Sequence, residues 1–509
     1  MSFNTLDFLL LLAVTMGLYF VLPWRLRNPL LLASSYVFYA AYSLKLTLFL
    51  VIMTFLTYAL ALKISQCREA ERDKKLAKRW MSAGVIICLV ILAFFKYFNF
   101  LSDSLAAMIG AEGNLHLSLM VPLGISFIVF TLVSYLVDVY RGTIAAERNL
   151  LKYALFVSFF PKVAQGPIEK AGDILPQFEE KHNFDLLRFR AGMLMVLYGL
   201  FMKMVVADRA AISVDKVYGN LSAYTGTSIL IATVLFSFQI YCDFAGYSYV
   251  AIGVAKVLGF NFKQNFRQPY RSLSVAEFWR RWHISLNRWL IDYLYIPLGG
   301  SRCSKLRKNY NTLITFVLSG LWHGADWGYI IWGLLNGVYI IIEAECKALL
   351  ARFRLFKQDE KDSTRNDPLS VGSVCNRFLH ITITYILIVF SWIFFRAQKL
   401  SVAVIVIKRI ATEFNLRSFL DYARETIARG KGAELLGLDV VFGLPILIVG
   451  IMIVIIVDVL SEKRELSVLL ARDGRMTRWI VSYALLFAIL LFGIYGYGYN
   501  ASSFIYAGF

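Results

Sequence analysis

Long apolar runs alternate with short polar or basic segments along almost the whole chain. A helix that crosses a bilayer needs about 20 mostly apolar residues, and many of these runs approach that length. The pattern predicts about eleven or twelve transmembrane helices, several of them short enough to be re-entrant. The predicted spans are roughly 6–23, 29–44, 46–63, 81–99, 117–139, 190–207, 227–242, 311–325, 327–346, 378–396, 439–458 and 479–497.

Three regions depart from this pattern. Pro and Gly interrupt the apolar residues at 150–178, and Gly, Pro, Trp and Arg are dense at 243–300. Irregular backbone at membrane depth is tolerated only where protein buries it or where it lines a cavity, so both regions are candidate walls of a site. Residues 397–438 mix charges of both signs, which is typical of an amphipathic helix lying on the outer face of the membrane.

The chain shows no repeat of fixed period and no low-complexity tract. We therefore expect one membrane-embedded domain over residues 1–509, with its core motifs at about 117–346 and its C-terminal helices at 378–509. The predicted fold class is all-α: a polytopic membrane protein with transmembrane, re-entrant and interfacial helices.

Composition narrows the function classes. The 509 residues are 58% hydrophobic and 17% charged, which excludes a soluble enzyme, a disordered chain and a secreted disulfide scaffold. Lys and Arg outnumber Asp and Glu by 53 to 34. Basic loops at 63–80, 263–308, 347–377 and 463–478 fall on one side of twelve alternating spans. The positive-inside rule makes that side cytoplasmic and places both termini outside. A nucleic acid is not an expected partner, because nucleic-acid-binding proteins do not bury most of their surface in lipid.

His323 is the first candidate for chemistry. It follows a strongly apolar run, has Gly320 and Gly324 beside it, and precedes a new apolar run that begins at Trp327. Ionisable residues inside membrane spans are rare and are functional hypotheses by default. An imidazole can take a proton from a hydroxyl near neutral pH. A structural histidine bonded to a nearby carbonyl is the equal alternative. No second ligand lies near it in the sequence, so no metal is expected.

A second candidate region is the aromatic and basic stretch at 277–290. On one continuous helix, Phe278, Trp282 and Trp289 would share a face with Trp279 at its edge, and Arg280 and Arg281 would point away. This pattern predicts an interfacial helix with its tryptophans at the depth of the lipid headgroups. It serves either as an anchor to anionic lipid or as a cationic rim that gathers a phosphorylated ligand. His283 lies at the border between the two faces, which favours a structural role.

Asp243 lies in an apolar stretch, where an uncompensated carboxylate is costly, so we expect it to have a partner. Helix packing or capping is the alternative role for this residue. The sequence has neither a Gly-rich phosphate loop nor a GxSxG elbow. Any chemistry would therefore depend on a base that acts on bound reactants.

Several motifs together resemble the core of the membrane-bound O-acyltransferase (MBOAT) family, and within it the bacterial alginate O-acetyltransferase branch. They are 265–270 (Asn-Phe-Arg-Gln-Pro-Tyr), 278–286 (Phe-Trp-Arg-Arg-Trp-His-Ile-Ser-Leu), 292–300 (Asp-Tyr-Leu-Tyr-Ile-Pro-Leu-Gly-Gly) and 320–324 (Gly-Leu-Trp-His-Gly). The resemblance spans nearly the whole chain. It implies a bundle of about eleven or twelve membrane helices with a thin centre and a tunnel through it.

The resemblance also implies site residues. The invariant histidine of the family corresponds to His323, and a second, less uniform histidine corresponds to His380. We expect a donor-binding and tunnel set of Asp243, Arg267, Tyr270, Trp279, Arg280, Arg281, Trp282, His283, Trp289, Trp322 and Asn336. Two positions depart from the branch, which usually has His where Asn336 stands and commonly has Asp where Tyr249 stands. Because of these departures, the resemblance does not identify a residue that assists His323.

The function implied is acetyl transfer across the bacterial inner membrane. Acetyl-CoA would be the cytoplasmic donor substrate and no cofactor would be bound. The acceptor would be a hydroxyl of a periplasmic or extracellular acetyltransferase partner or of a polysaccharide, either an alginate-like exopolysaccharide or peptidoglycan. Three alternatives remain at the level of the sequence. In the first, the acceptor is peptidoglycan, which fits these motifs as well as an exopolysaccharide does. In the second, the chain is a teichoic acid D-alanyl transferase that takes its acyl group from a carrier protein. In the third, it is a transporter or flippase for an anionic substrate.

Overall fold

A computed structural model gives the fold. It describes residues 1–69, 73–109, 117–118, 120–352, 371–430, 433–462 and 475–495. In these residues the secondary structure is helical apart from one hairpin of two-residue strands, Glu434–Leu435 and Leu438–Asp439. The predicted all-α class is confirmed. Most residues of the basic loops 347–377 and 463–478 lie outside the described part of the chain.

The helices are numbered in chain order. The first ten are α1 Leu6–Val21, α2 Trp24–Ala40, α3 Leu44–Glu69, α4 Lys74–Ile109, α5 Ile125–Arg141, α6 Leu150–Ser158, α7 Phe160–Val163, α8 Ala171–Ile174, α9 Leu186–Phe201 and α10 Asp208–Gly219. The rest are α11 Gly226–Leu258, α12 Val275–Arg281, α13 Ile284–Leu290, α14 Lys305–His323, α15 Trp327–Arg352, α16 Val371–Ala397, α17 Leu400–Glu413, α18 Leu416–Ala428, α19 Gly443–Leu460 and α20 Arg475–Phe492. Short 3₁₀ turns occur at Pro176–Glu179, Leu221–Ala223 and Pro269–Arg271, and π-helical segments at Met202–Ala207 and Ile291–Tyr295.

Each predicted span overlaps a helix of the structure. In the described part of the chain, seven helical stretches are long and apolar enough to cross a membrane. They are Leu44–Glu69, Lys74–Ala106, Leu186–Gly219, Gly226–Leu258, Trp327–Leu349, Val374–Ala397 and Gly443–Leu460. The chain is therefore a multi-pass membrane protein.

The three unusual regions have different outcomes. Residues 150–178 are irregular, as predicted, and form the short helices α6, α7 and α8 and one 3₁₀ turn. The prediction for 243–300 is wrong at its start, because α11 continues as a regular helix to Leu258. Residues 397–438 contain two helices and a hairpin rather than one amphipathic helix. The second of these helices begins at Leu416, where the Asn415 side chain accepts a hydrogen bond from the Ser418 N–H and caps it.

The chain divides into two compact units. Unit 1 comprises Met1–Val205, Asp243–Gln264 and Arg464–Phe509, and unit 2 comprises Val206–Cys242 and Asn265–Lys463. The prediction of a single domain stays a prediction.

In unit 1, α9 and the C-terminal half of α11 pack backbone to backbone. A Cβ on Gly199 would lie 2.4 Å from the Gly246 carbonyl oxygen, and one on Gly192 would lie 2.7 Å from that of Gly253. The two glycines of each helix are seven residues apart, which places them on one face. Only glycine permits this approach, because any side chain would separate the helices.

In unit 2, α14 and α15 form a tight antiparallel pair. A Cβ on Gly320 would lie 2.2 Å from the Tyr329 carbonyl oxygen, and one on Gly333 would lie 2.2 Å from that of Phe316. The aromatic ring of Tyr329 lies over Gly324, where a Cβ would meet it at 2.0 Å. The glycines beside His323 therefore serve the packing of the turn that follows it.

Candidate active site

His323 is the last residue of α14, and only 1% of its surface is exposed. The helix ends there because Gly324 adopts an extended conformation, and α15 begins three residues later at Trp327. The predicted break between two helices is confirmed. His323 is thus held at a fixed point on a helix end, and packing surrounds its imidazole.

Aromatic rings enclose the imidazole of His323. The ring centroids of Trp322, Trp332 and Phe395 lie 4.9, 5.1 and 5.5 Å from its own, all in edge-to-face arrangements. Trp332 in turn stacks on Trp392, with centroids 5.7 Å apart. Rings packed in this way have few alternative rotamers, so they fix the orientation of the imidazole.

A second histidine faces the first. The rings of His283 and His323 have centroids 6.4 Å apart. His283 is fully buried and has a left-handed backbone conformation, with φ of 44°, directly before α13. Burial lowers the pKa of His283 to about 3, so its ring is neutral at physiological pH. The residue pattern alone favoured a structural role for His283, and the family resemblance placed it in the donor-binding and tunnel set.

Asn265 sets the tautomer of His283. The Asn265 Oδ1 atom accepts hydrogen bonds from the Ser285 backbone N–H at 3.2 Å and from its hydroxyl at 2.9 Å. The same oxygen lies 3.1 Å from His283 Nδ1, which must therefore carry the hydrogen. The Nε2 atom of His283 then carries a lone pair and can only accept a hydrogen bond.

The aromatic and basic stretch at 277–290 is not one helix, and the prediction of a continuous interfacial helix is wrong. It forms α12 and α13, separated by extended Trp282 and left-handed His283. Trp279, Trp282 and Trp289 are buried in the protein. Trp282 packs against Phe266 and Trp392, with centroids 5.1 and 5.2 Å away. The bonds that Asn265 makes stabilise the break, and the helical pattern alone could not reveal it.

A cavity of about 670 Å³ lies beside these helices. Its wall is mainly apolar, and the basic side chains in it are Arg280 and Arg288. The face of α14 that lines it carries Thr312, Thr315 and Ser319. Intervals of three and four residues keep one face of a helix, and the next position on that face is His323. The full lining is Ala276, Trp279, Arg280, Ile284, Asn287, Arg288, Leu290, Ile291, Tyr295, Thr312, Thr315, Phe316, Ser319 and Ile340.

Asn336 connects this cavity to the aromatic enclosure. Its Oδ1 accepts a hydrogen bond from the indole N–H of Trp279 at 3.1 Å, and its Nδ2 donates one to the Trp332 carbonyl at 2.8 Å. Trp279 lines the cavity and Trp332 packs against His323. Asn336 is completely buried and joins the two walls.

The other residues predicted in unit 2 have varied surroundings. The Tyr270 hydroxyl donates to the Ser237 carbonyl at 2.7 Å, and Trp289 packs against Tyr293 with centroids 5.2 Å apart. Arg281 forms an ion pair with Glu277 at 2.5 Å. Arg267 is exposed, and its backbone N–H bonds to the carbonyl of Arg281.

Two further predicted residues are His380 and Asp243. His380 is exposed on α16, twelve residues before Trp392, which corresponds to about 18 Å along a helix. Asp243 belongs to unit 1, where its Oδ1 lies 2.6 Å from Lys203 Nζ. The expectation that Asp243 has a partner is thereby confirmed. The geometry favours His283 over His380 as the second histidine near the site.

Comparison with known proteins identifies the fold family. The sequence profile of the membrane-bound O-acyltransferase family, MBOAT, matches residues 31–390. The chain belongs to the membrane-bound O-acyltransferase family.

Individual relatives agree with this assignment. The chain is 39% identical over 408 residues to "Probable alginate O-acetylase AlgI" of Azotobacter vinelandii, which covers 79% of this chain and 76% of the relative. It is 33% identical over 422 residues to "Peptidoglycan O-acetyltransferase" of Helicobacter pylori, and this alignment covers 77% of this chain and 76% of the relative. It is 29% identical over 236 residues to "Teichoic acid D-alanyltransferase" of Bacillus subtilis, and this alignment covers 42% of this chain and 57% of the relative. The chain is an O-acyltransferase, and the transporter alternative is set aside.

The acyltransferase also contains residues near the site that sequence reasoning missed. Asp458 of α19 accepts a hydrogen bond from the Tyr241 hydroxyl at 3.0 Å, and Glu462 forms ion pairs with Arg271 and Arg377. These contacts attach the end of α19 to α11, to α16 and to Arg271, which directly follows the motif at 265–270. An acidic residue near the end of an apolar run was the only signal in the sequence.

Proposed function

We propose that this acyltransferase moves an acetyl group from acetyl-CoA on the cytoplasmic side of the bacterial inner membrane to a hydroxyl on the other side. The acceptor is a partner acetyltransferase or a cell-surface polysaccharide. The relatives named as O-acetylases of alginate and peptidoglycan support acetyl as the group transferred. The observation that carries the proposal is a buried His323 at a helix end, on the helix face that lines a large cavity with arginines.

In this proposal His323 acts as the general base. A ring nitrogen takes the proton of the acceptor hydroxyl while its oxygen attacks the thioester carbonyl. The new C–O bond forms, the C–S bond breaks, and the proton passes from the imidazole to the departing thiolate. The neutral state of His283 favours this step, since a second positive charge beside His323 would oppose its protonation.

The cavity supports binding of the donor. Arg280 and Arg288 suit the phosphates of a CoA thioester, because guanidinium pairs bidentately with phosphate. The hydroxyl-bearing face of α14, from Thr312 to Ser319, would guide the thioester arm towards His323. Holding both reactants in one geometry lowers the entropic part of the barrier.

The proposed orientation follows the charge pattern of the loops. The basic segment 263–308 lies on the cytoplasmic side, and both termini lie outside. The acceptor then approaches His323 from the extracytoplasmic side, and the donor approaches from the side that carries the arginines.

The test is acetyl transfer by purified protein in proteoliposomes, with labelled acetyl-CoA and an alginate or peptidoglycan acceptor. We expect His323→Ala to lower the rate about 100-fold or more. His380→Ala is the matched control, because it removes an exposed histidine distant from His323, and it should retain the wild-type rate. Wild-type turnover by His323→Ala would refute the role of the base.

The relative named as a teichoic acid D-alanyltransferase supports a second candidate, transfer of D-alanine from a carrier protein. The proteoliposome assay distinguishes acetyl transfer from D-alanyl transfer when it is run with each donor in turn. Turnover with a D-alanyl carrier protein and none with acetyl-CoA would replace the acetyl proposal and leave the role of His323 intact.

A further inference from the structure

A second cavity, in unit 1, has chemistry of its own. It has a volume of about 400 Å³ and lies between the N-terminal parts of α9 and α20. Its lining is Phe189, Arg190, Met193, Leu194, Leu197, Arg478, Trp479 and Ser482. Its lining shares no residue with the cavity beside α12, α13 and α14.

One end of this cavity is cationic. Arg190 is the fifth residue of α9, and Arg478 lies in the first turn of α20. The Ser482 hydroxyl, one turn later, already donates a hydrogen bond to the Arg478 carbonyl at 2.8 Å. The eight lining residues include no carboxylate. Asp185 caps α9, but five residues place it about 140° around the helix from Arg190. Two guanidinium groups near the N-terminal ends of two helices suit an anion such as phosphate.

The other part of the cavity is apolar. Met193, Leu194 and Leu197 continue along the same face of α9 towards the membrane interior. On α20, Trp479 is 54% exposed and stacks on Tyr483 with ring centroids 5.5 Å apart. Exposed aromatic side chains near a helix end are typical of the membrane–water interface. A ligand that fills this cavity therefore has an anionic head and a hydrocarbon tail.

We propose that the cavity between α9 and α20 binds an anionic phospholipid, with its phosphate between Arg190 and Arg478 and its acyl chain along Met193 and Leu197. Basic pockets between transmembrane helices are known sites for anionic headgroups. A soluble phosphate would leave the apolar wall uncovered, and a zwitterionic lipid would bring its own cation towards the two arginines. The two arginines and the apolar wall of the cavity together favour an anionic lipid.

Binding of the lipid would hold the N-terminal end of α20 against α9. The opposite end of α20 is already attached, because the Ile494 N–H donates to the Met204 carbonyl at 3.0 Å. That carbonyl belongs to the π-helical segment Met202–Ala207 of the same membrane span as α9. The lipid would therefore stabilise unit 1 as well as occupy it.

Native mass spectrometry of the full-length protein tests the proposal, with phosphatidylglycerol and phosphatidylcholine supplied separately. We expect phosphatidylglycerol adducts to fall at least tenfold in the Arg190→Gln/Arg478→Gln variant. The matched control is Arg417→Gln/Arg424→Gln, which removes the same charge from exposed positions on α18 and should retain the adducts. Equal binding of both lipids by wild-type protein, or unchanged adducts in the cavity variant, would overturn the proposal.

A second measurement needs no variant. The thermal unfolding temperature of wild-type protein should be higher in phosphatidylglycerol nanodiscs than in phosphatidylcholine nanodiscs. Inorganic phosphate added to the phosphatidylcholine sample should not reproduce the rise. If phosphate alone reproduces it, the site binds free phosphate and the lipid proposal is wrong; if no rise occurs, it is wrong as well.

Discussion

The Lys203 ammonium and the Asp243 carboxylate form an ion pair inside unit 1, with Nζ and Oδ1 2.6 Å apart. Both side chains are more than 90% buried. Lys203 lies in the π-helical segment that follows α9, and Asp243 lies in the middle of α11. A π-helical turn shifts the helical register, and such segments frequently occur at functional sites. Each charge lowers the free-energy cost of burying the other.

The first prediction concerns this pair. We expect Lys203→Met to destabilise the protein by about 3–5 kcal/mol, since it leaves a buried carboxylate without its counter-charge. The Lys203→Met/Asp243→Leu double variant removes both charges and should recover much of that loss. Thermal unfolding of the detergent-purified variants measures both effects. A double variant less stable than Lys203→Met would show that the two charges act independently.

The second prediction concerns the crossing of α9 and α11. We expect Gly199→Ala to cost roughly 1–3 kcal/mol, because the new Cβ would lie within 2.4 Å of the Gly246 carbonyl oxygen. Gly17→Ala is the matched control in α1, where nothing lies within 4 Å of an added Cβ. The control should be neutral or stabilising, because alanine is the better helix former. Equal unfolding temperatures for the two variants would contradict the close packing.

The third prediction concerns Asn336, which accepts the Trp279 indole N–H. Asn336→Leu leaves that donor buried without an acceptor, at a cost of about 1–3 kcal/mol, and should also lower the rate of acyl transfer. Asn336→His restores an acceptor nitrogen and should retain more activity than Asn336→Leu. Proteoliposome turnover and thermal unfolding are measured on both variants. An Asn336→His variant as impaired as Asn336→Leu would rule out this acceptor role.

The fourth prediction concerns acid stability. The pKa of His283 falls to about 3 in the fold from an ordinary value of 6.5. Between these values the unfolded chain binds a proton that the folded chain does not, so His283 makes stability fall as the pH drops below 6.5. We expect His283→Asn to reduce that slope by up to about 1.4 kcal/mol per pH unit. Asparagine is chosen because it tolerates a left-handed backbone.

Thermal unfolding of wild-type protein and His283→Asn over a range of pH measures this slope. His380→Asn is the control, because His380 is exposed and should leave the wild-type slope unchanged. Parallel curves for wild-type protein and His283→Asn would contradict a depressed pKa.

Much of the candidate site could be predicted from the sequence. The glycines, the tryptophans and the break after His323 were visible as motifs, because each residue type has a local conformational or packing role. The break between α12 and α13 was not visible, since residues 277–290 fit a helical period. It depends on Asn265, which lies eighteen residues before His283. The pairing of His283 with His323, which are forty positions apart, was equally hidden.

The sequence by itself determined that this protein is an all-α, multi-pass membrane protein with the motifs of an acyltransferase, because hydropathy and local motifs are properties of short segments. Only the tertiary structure decided which distant side chains meet: Lys203 and Asp243 as an ion pair, Asn336 and Trp279 through a hydrogen bond, and His283 and His323 as neighbouring rings. Each of these pairs joins residues at least forty positions apart in the chain. A buried polar group must find its partner wherever packing brings one, and no local pattern records that choice.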